Sequence, residues 1–332
     1  MRIKSKGIVL LTAALLSCVL VGYLMLRDIP GVNNPPGEKK QYSIEVVVKS
    51  LNNSPVFWGV VEQGIRMGAE EFLVDCNVSG PANENDIDDQ IQLVREAIAR
   101  QPDALILAAG HYSRLAPLCE EAAQAGILVV MLDSDADTDQ KICFVGTDNY
   151  ELGKKLASLV DELILPGERF GVVGHVETTT TAIERSRGLL ENVYNADERL
   201  ADLAYCDGIM ETARLQTIEM LAQHPDIRCM VGLNESSALG IANALVELGV
   251  AGEVKLVVCD NSEQQIHYME TGAIQAFVIQ NPFNMGYLSM QAAVNALNGK
   301  HVDPVINTGS IIITREDMNR PENQKLLFPF TN

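Results

Sequence analysis

The sequence predicts an α/β protein of two similar units, each a parallel sheet covered by helices, with a ligand cleft between them. Three observations carry that prediction. Short apolar runs of strand length alternate with longer segments of helical period, the pattern of parallel strands joined by crossover helices. The alternation occurs twice. The punctuation also repeats: Gln101-Pro102-Asp103 opens one strand and His224-Pro225-Asp226 opens its counterpart about 125 residues later. A second echo follows at nearly the same offset, where Ala125-Gly126 precedes a strand ending Leu132-Asp133-Ser134 and Ala251-Gly252 precedes one ending Cys259-Asp260-Asn261. With 332 residues, 47% of them apolar, the chain has enough material for two cores.

Taken in order, the chain opens with Arg2, Lys4 and Lys6, followed by an uncharged apolar run over 7–26. A helix of that length rises ~30 Å, the thickness of a bilayer core, and basic residues stay on the cytoplasmic side, so the rest of the chain is expected outside the cytoplasm. Three readings stand: an uncleaved anchor over 1–27, a cleaved signal peptide, and a lipoprotein signal acylated at Cys18. The length of the apolar run favours the anchor. Residues 28–41 hold Pro30, Pro35 and Pro36 and read as a solvated linker. Strands are then expected at 44–48, 73–77, 104–108 and 127–132, with helices at 57–72, 87–100 and 115–124 between them. The second unit repeats this with strands at 170–174, 203–206, 229–233 and 254–259, helices at 181–194, 211–222 and 237–248, and a further apolar run at 274–279.

Charge and motif content remove whole classes of function. Lysine and arginine total 25 against 44 acids, and a net charge of −19 repels a nucleic-acid backbone. No nucleic-acid partner is expected. The chain has no GxGxxG, Walker A, GxSxG or HExxH sequence, so neither an enzyme mechanism nor a cofactor has local support. Asp133, Asp135, Asp137 and Asp139 mimic the start of a calcium loop, but Thr138 stands where the loop needs glycine and Phe144 where it needs glutamate. A solvated turn is the better reading, with Asp133 excepted. The cysteines show no CxxC spacing, and Cys143, Cys206, Cys229 and Cys259 fall in strand-like runs, where a thiol serves as a small buried hydrophobe.

What remains is a set of polar residues at the carboxyl ends of apolar strands: Asp133, Asn234, Asp260 and Gln280. In open parallel sheets the crevice lies at those ends. Any one of them also suits a helix cap, but four in two repeated units point to one shared ligand. Phe57 and Trp58 start the first long helix, where the first loop opens into the crevice. Flat rings there cover the C–H face of a sugar while carboxylates and amides take its hydroxyls.

These residues resemble the type I periplasmic binding proteins of ABC transporters, in the ribose-binding-like group, over about 42–314. The resemblance rests on Phe57-Trp58 with Gly64, the run 129–134 ending in Asp133-Ser134, Phe144-Val145-Gly146-Thr147-Asp148-Asn149, Glu184-Arg185 with Gly188, Leu233-Asn234-Glu235 with Ala238-Leu239-Gly240, Cys259-Asp260, and Gln280-Asn281-Pro282 with Met285-Gly286. It implies two flavodoxin-like lobes linked by a hinge with crossings near 147–149, 280–281 and 308. The lobes would be 42–147 plus 281–308 and 148–280 plus 309–332. It also implies ligand contacts from Phe57 and Trp58 as stacking rings and from Asp133, Asn234, Asp260 and Gln280 as hydrogen-bonding groups. Where ribose binders carry an asparagine and two arginines, this chain has Ala108, Ser134 and Ile183. Two guanidinium forks are thereby lost, so Asp133 is expected without counter-charges, and ribose itself is disfavoured. His111, Tyr112, His175 and Glu177 lie in loops near the same strand ends and offer substitutes. The implied function is an extracytoplasmic receptor for a small sugar or polyol that closes on it and delivers it to an ABC permease. The alternative is an anchored sensory subunit signalling to a histidine kinase or chemoreceptor.

Overall fold

The computed structural model describes residues 41–52 and 54–328. The expected anchor, its linker and Cys18 lie outside the described residues. Among those described, no helix is long and apolar enough to cross a membrane.

The first half lays down β1 (Ser43–Val47), α1 (Pro55–Phe72), β2 (Asp75–Ser79), α2 (Ile87–Ala99), β3 (Ala104–Leu107), α3 (Ala116–Gln124), β4 (Leu128–Leu132) and β5 (Cys143–Gly146). The chain then enters a second unit with α4 (Asn149–Leu163), β6 (Arg169–Gly174), α5 (Thr180–Leu190), a single turn α6 (Ala196–Arg199), β7 (Leu200–Tyr205), α7 (Met210–Gln223), β8 (Ile227–Gly232), α8 (Glu235–Glu247), β9 (Lys255–Cys259), α9 (Glu263–Thr271) and β10 (Ala276–Gln280). It returns through α10 (Pro282–Leu297) and β11 (Val305–Asn307), and crosses again to β12 (Ser310–Thr314) and α11 (Pro321–Leu327). The sheets run β11-β5-β4-β3-β1-β2 and β12-β10-β9-β8-β6-β7, so the chain passes between them after β5, after β10 and between β11 and β12. Each is a six-stranded sheet in an α/β lobe.

The buried strands explain why the apolar runs were readable. Every residue of β3 and β10 is buried, as a strand covered by helices on both faces must be. Two expectations shift. The strand expected at 73–77 lies at Asp75–Ser79, because Leu73 takes a left-handed cap (φ 56°) and the Val74 N–H closes α1 on Ala69 O at 2.9 Å. Those two apolar residues finish a helix, and the edge strand that follows is mostly polar. The second sheet is also not wholly parallel: β12 runs antiparallel to β10, pairing Gln280 with Ser310.

Each lobe has one helix pair packed through facing glycines, and in the first lobe one member of the pair returns from beyond the contiguous stretch. In the first, α10 packs on α1 through Gly64 and Gly286, where an added Cβ would lie 2.1 Å from Phe283 O or Val61 O respectively. In the second, α4 packs on α5 through Gly153 and Gly188, with added Cβ atoms 2.4 Å from Arg185 O and 2.2 Å from Tyr150 O. Such backbone contact fixes α1 and α5, which both start at the crevice. The described cysteines are all free, and all but the half-buried Cys76 are buried; burial holds Cys229 and Cys259 at about 12, far from thiolate formation.

Candidate functional site

The repeat is preserved down to backbone conformation. Asp133 follows β4 and Asp260 follows β9, both in the left-handed region (φ 60° and 64°). Each donates its N–H to the next strand, Asp133 to Val145 O at 2.9 Å and Asp260 to Val278 O at 3.2 Å. The sharp turn brings both carboxylates to the lining of one cavity.

Asn234 caps α8: its Oδ1 accepts from Ser237 N at 2.9 Å, and Ser237 Oγ accepts from Asn234 N at 3.1 Å. Its free amide hydrogens point elsewhere, to Ser54 Oγ at 3.4 Å across the cleft. Gln280, at the end of β10, donates to Asp260 Oδ1 at 2.6 Å, and the Glu235 N–H, at the start of α8, donates to Asp260 Oδ2 at 3.2 Å. Phe57 and Trp58 meet edge to face with centroids 5.1 Å apart, and Trp58 Nε1 donates to Glu84 Oε1 at 3.3 Å. All six of these residues line one cavity between the lobes.

Lys49, Glu84, His175, Thr181 and Arg185 line it as well. Lys49 overturns the expectation that Asp133 lacks a counter-charge: its Nζ is 2.9 Å from Asp133 Oδ2, with both side chains buried, and 5.6 Å from the Trp58 ring centroid. The cation arrives from the end of β1, not from the Ser134 or Ile183 positions. Ser134 instead faces Thr180 Oγ1 at 3.1 Å, and Ile183 lines a separate groove with Tyr112 and Tyr150. Arg185 donates to Asn149 Oδ1 at 2.8 Å and to Leu233 O at 2.7 Å, tying α5 to the start of α4 and the end of β8. Of the four loop substitutes, His175 alone lines the cavity, with Nε2 2.8 Å from Thr181 Oγ1. His111 closes a local turn, Tyr112 OH bonds Asp137, and Glu177 is exposed. Lys49 and Glu84 were legible only as a lysine ending an apolar strand and a glutamate in a polar loop.

Burial governs the charges. It pushes the Asp260 and Glu84 carboxyls up, with nearby Arg185 opposing it at Asp260 and Lys49 opposing it at Glu84. Glu235 rises from the ordinary glutamate value of 4.5 to about 8, through burial and the neighbouring Asp260. His175 is held well below its ordinary value by burial and the two cations, so it is a neutral ring. Among the described residues no group of three His, Cys, Asp or Glu is placed to hold a metal ion.

The lobes touch all around this cavity. Lys49 Nζ reaches Thr181 Oγ1 at 3.3 Å, the Phe57 N–H reaches Glu235 Oε2 at 3.5 Å, the Tyr112 N–H reaches Thr178 O at 2.9 Å, and the Asp135 N–H reaches Thr180 Oγ1 at 2.8 Å. The space left among these side chains is about 20 Å³, room for one water. A sugar ring enters only if the lobes part. A larger groove of about 650 Å³ lies alongside, sharing Phe57, Asp260 and Gln280, but Val56, Val60, Met67, Phe283 and Leu327 make most of it apolar. The convergence of charged and amide groups is in the cleft, so the cleft is the candidate site.

The family described as periplasmic binding protein domain matches residues 44–301. The chain is 28% identical to the D-ribose/D-allose-binding protein of Pseudomonas aeruginosa, covering 82% of this chain and 88% of that protein. It is 26% identical to the ribose import binding protein RbsB of Bacillus subtilis, with 82% and 87% covered. Among solved structures, a sugar transporter from Clostridium phytofermentans is 33% identical with a TM-score of 0.78, covering 83% of this chain and 99% of that one. An ABC transporter solute binding protein from Agrobacterium vitis with bound D-fucose is 28% identical with a TM-score of 0.79, covering 86% and 99%.

Proposed function

The chain belongs to the periplasmic binding protein family, a family of binding proteins, and from that premise we propose that it is the extracytoplasmic sugar receptor of an ABC transporter. The observation that carries this reading is the convergence of Asp133, Asn234, Asp260, Gln280, Phe57 and Trp58, from both lobes, on one closed cleft. Carboxylates and amides suit the hydroxyls of a single ring, and the aromatic pair suits its C–H face. A ligand that touches both lobes only when they are closed shifts the population toward the closed form, and periplasmic binding proteins are a standard instance of such hinge closure. The permease then reads the closed form. Arg2, Lys4 and Lys6 before the uncharged run over 7–26 support retention at the membrane, with the binding unit on the far side.

Thermal unfolding against a panel of pentoses, hexoses and polyols tests the reading. A ligand at 100 times its Kd adds about 2.7 kcal/mol of stability, a shift that is easily seen. Stabilisation by at least one monosaccharide is expected; no shift with any member of the panel overturns the proposal.

A further inference from the structure

Carboxylates outnumber cations in the cleft. Glu84, Asp133 and Asp260 line it against Lys49 and Arg185, and all three carboxyls are buried; the buried Glu235, whose N–H holds Asp260, adds a fourth carboxyl beside them. The two cations are already engaged. Lys49 pairs with Asp133 and also donates to Thr181, while Arg185 donates to the Asn149 side chain and the Leu233 carbonyl. Asp260 is therefore held by neutral donors, the Gln280 amide and the Glu235 backbone.

A second observation points the same way. Gln280 is 7% exposed, and with its amide nitrogen spent on Asp260 its Oε1 has no hydrogen-bond partner among the described residues. A buried acceptor without a donor costs ~1–3 kcal/mol, so this wall of the cavity is short of a donor. Burial raises the Asp260, Glu84 and Glu235 carboxyls, and another acid of the group lifts each further.

Resting on the sugar-receptor reading above, we propose that the preferred ligand of this cleft is a monosaccharide-sized molecule bearing a protonated amine, whose ammonium group takes Asp260 as its counter-charge. An ammonium group supplies three donors and no acceptor, which matches the Asp260 carboxylate and the Gln280 oxygen together. A hydroxyl supplies one donor and brings lone pairs toward an acidic wall. Lys49 keeps the amine from Asp133 and so sets which end of the ligand faces which lobe.

Isothermal titration of the full chain at pH 6.5 with matched sets of sugars tests this: D-glucosamine, D-galactosamine and D-mannosamine, each beside its neutral parent hexose and its N-acetyl derivative. An amino sugar is expected to bind at least tenfold more tightly than its neutral parent and its N-acetyl form, which keeps the nitrogen but loses the charge. In Asp260→Asn that preference is expected to fall below threefold, while a neutral ligand, if bound, changes less. Neutral parents that bind as tightly as, or more tightly than, every amino sugar overturn the amine proposal and leave the sugar-receptor reading intact. Failure of every sugar, charged or neutral, overturns both. A preference for the amine that persists undiminished in Asp260→Asn, with the variant folded by circular dichroism, overturns the assignment of Asp260.

Discussion

Asp133 and Asp260 occupy equivalent places in the two lobes, with the same left-handed backbone and the same hydrogen bond to the neighbouring strand, yet they live in opposite electrostatic settings. Asp133 faces a lysine across 2.9 Å, whereas Asp260 faces a glutamine amide and a backbone N–H. The difference shows what a repeated fold holds constant and what it leaves open. Sheet geometry places a carboxylate at each strand end. Its side-chain partner comes from one residue of a different element, Lys49 in one lobe and Gln280 in the other.

The largest effect should come from breaking the Asp133 side of that pair. Lys49→Met leaves a buried carboxylate uncompensated and is expected to destabilise the ligand-free protein by about 3–5 kcal/mol in urea unfolding, whereas Asp260→Asn, which removes a charge that burial already disfavours, should cost less than about 1 kcal/mol. Equal losses in the two variants would erase the contrast.

Next in size is a pH effect on the second lobe. Glu235 keeps its proton in the folded state up to about 8 and loses it near 4.5 when unfolded, so folding takes up a proton between those values. Stability therefore falls as pH rises from about 4.5 through 8. The neutral His175 opposes this decline only at its acid end, because the unfolded ring has given up most of its proton by about pH 7.5. Glu235→Gln is expected to flatten the decline in Tm between pH 6.5 and 8.5, and identical slopes in variant and parent would show that this carboxyl does not titrate there.

Smaller again is Trp58→Phe, which keeps a ring under Lys49 but deletes the hydrogen bond to Glu84; a loss of about 1 kcal/mol is expected in the same unfolding assay. Asp139→Ala, on the exposed acidic turn beyond Asp133, should stay within about 0.5 kcal/mol of the parent and serves as the control.

The strands and their order of appearance were legible because buried parallel strands leave continuous apolar runs, as β3 and β10 do. The polar edge strand β2 was misplaced for the converse reason, and the antiparallel β12 carries no signal of its direction. At the site, residues at the ends of readable strands were legible, among them Asp133, Asp260 and Gln280. Lys49 was not, because a lysine after an apolar run reads as a solvated strand end until the second lobe covers it. Glu84 lies in a loop whose path no periodicity encodes, and Arg185 was visible only as part of a helix motif. Ser134 and Ile183 bring no cation to Asp133, but Lys49 supplies one from elsewhere in the chain.

The central claim is that one ligand is held in the cleft by side chains of both lobes, and its most direct test is isothermal titration of the best sugar from the thermal screen into the parent protein, Asp133→Ala and Asp260→Ala. Each variant is expected to bind at least tenfold more weakly, a loss of ~1.4 kcal/mol or more. Unchanged affinity in both variants would contradict the account and move the ligand out of the cleft.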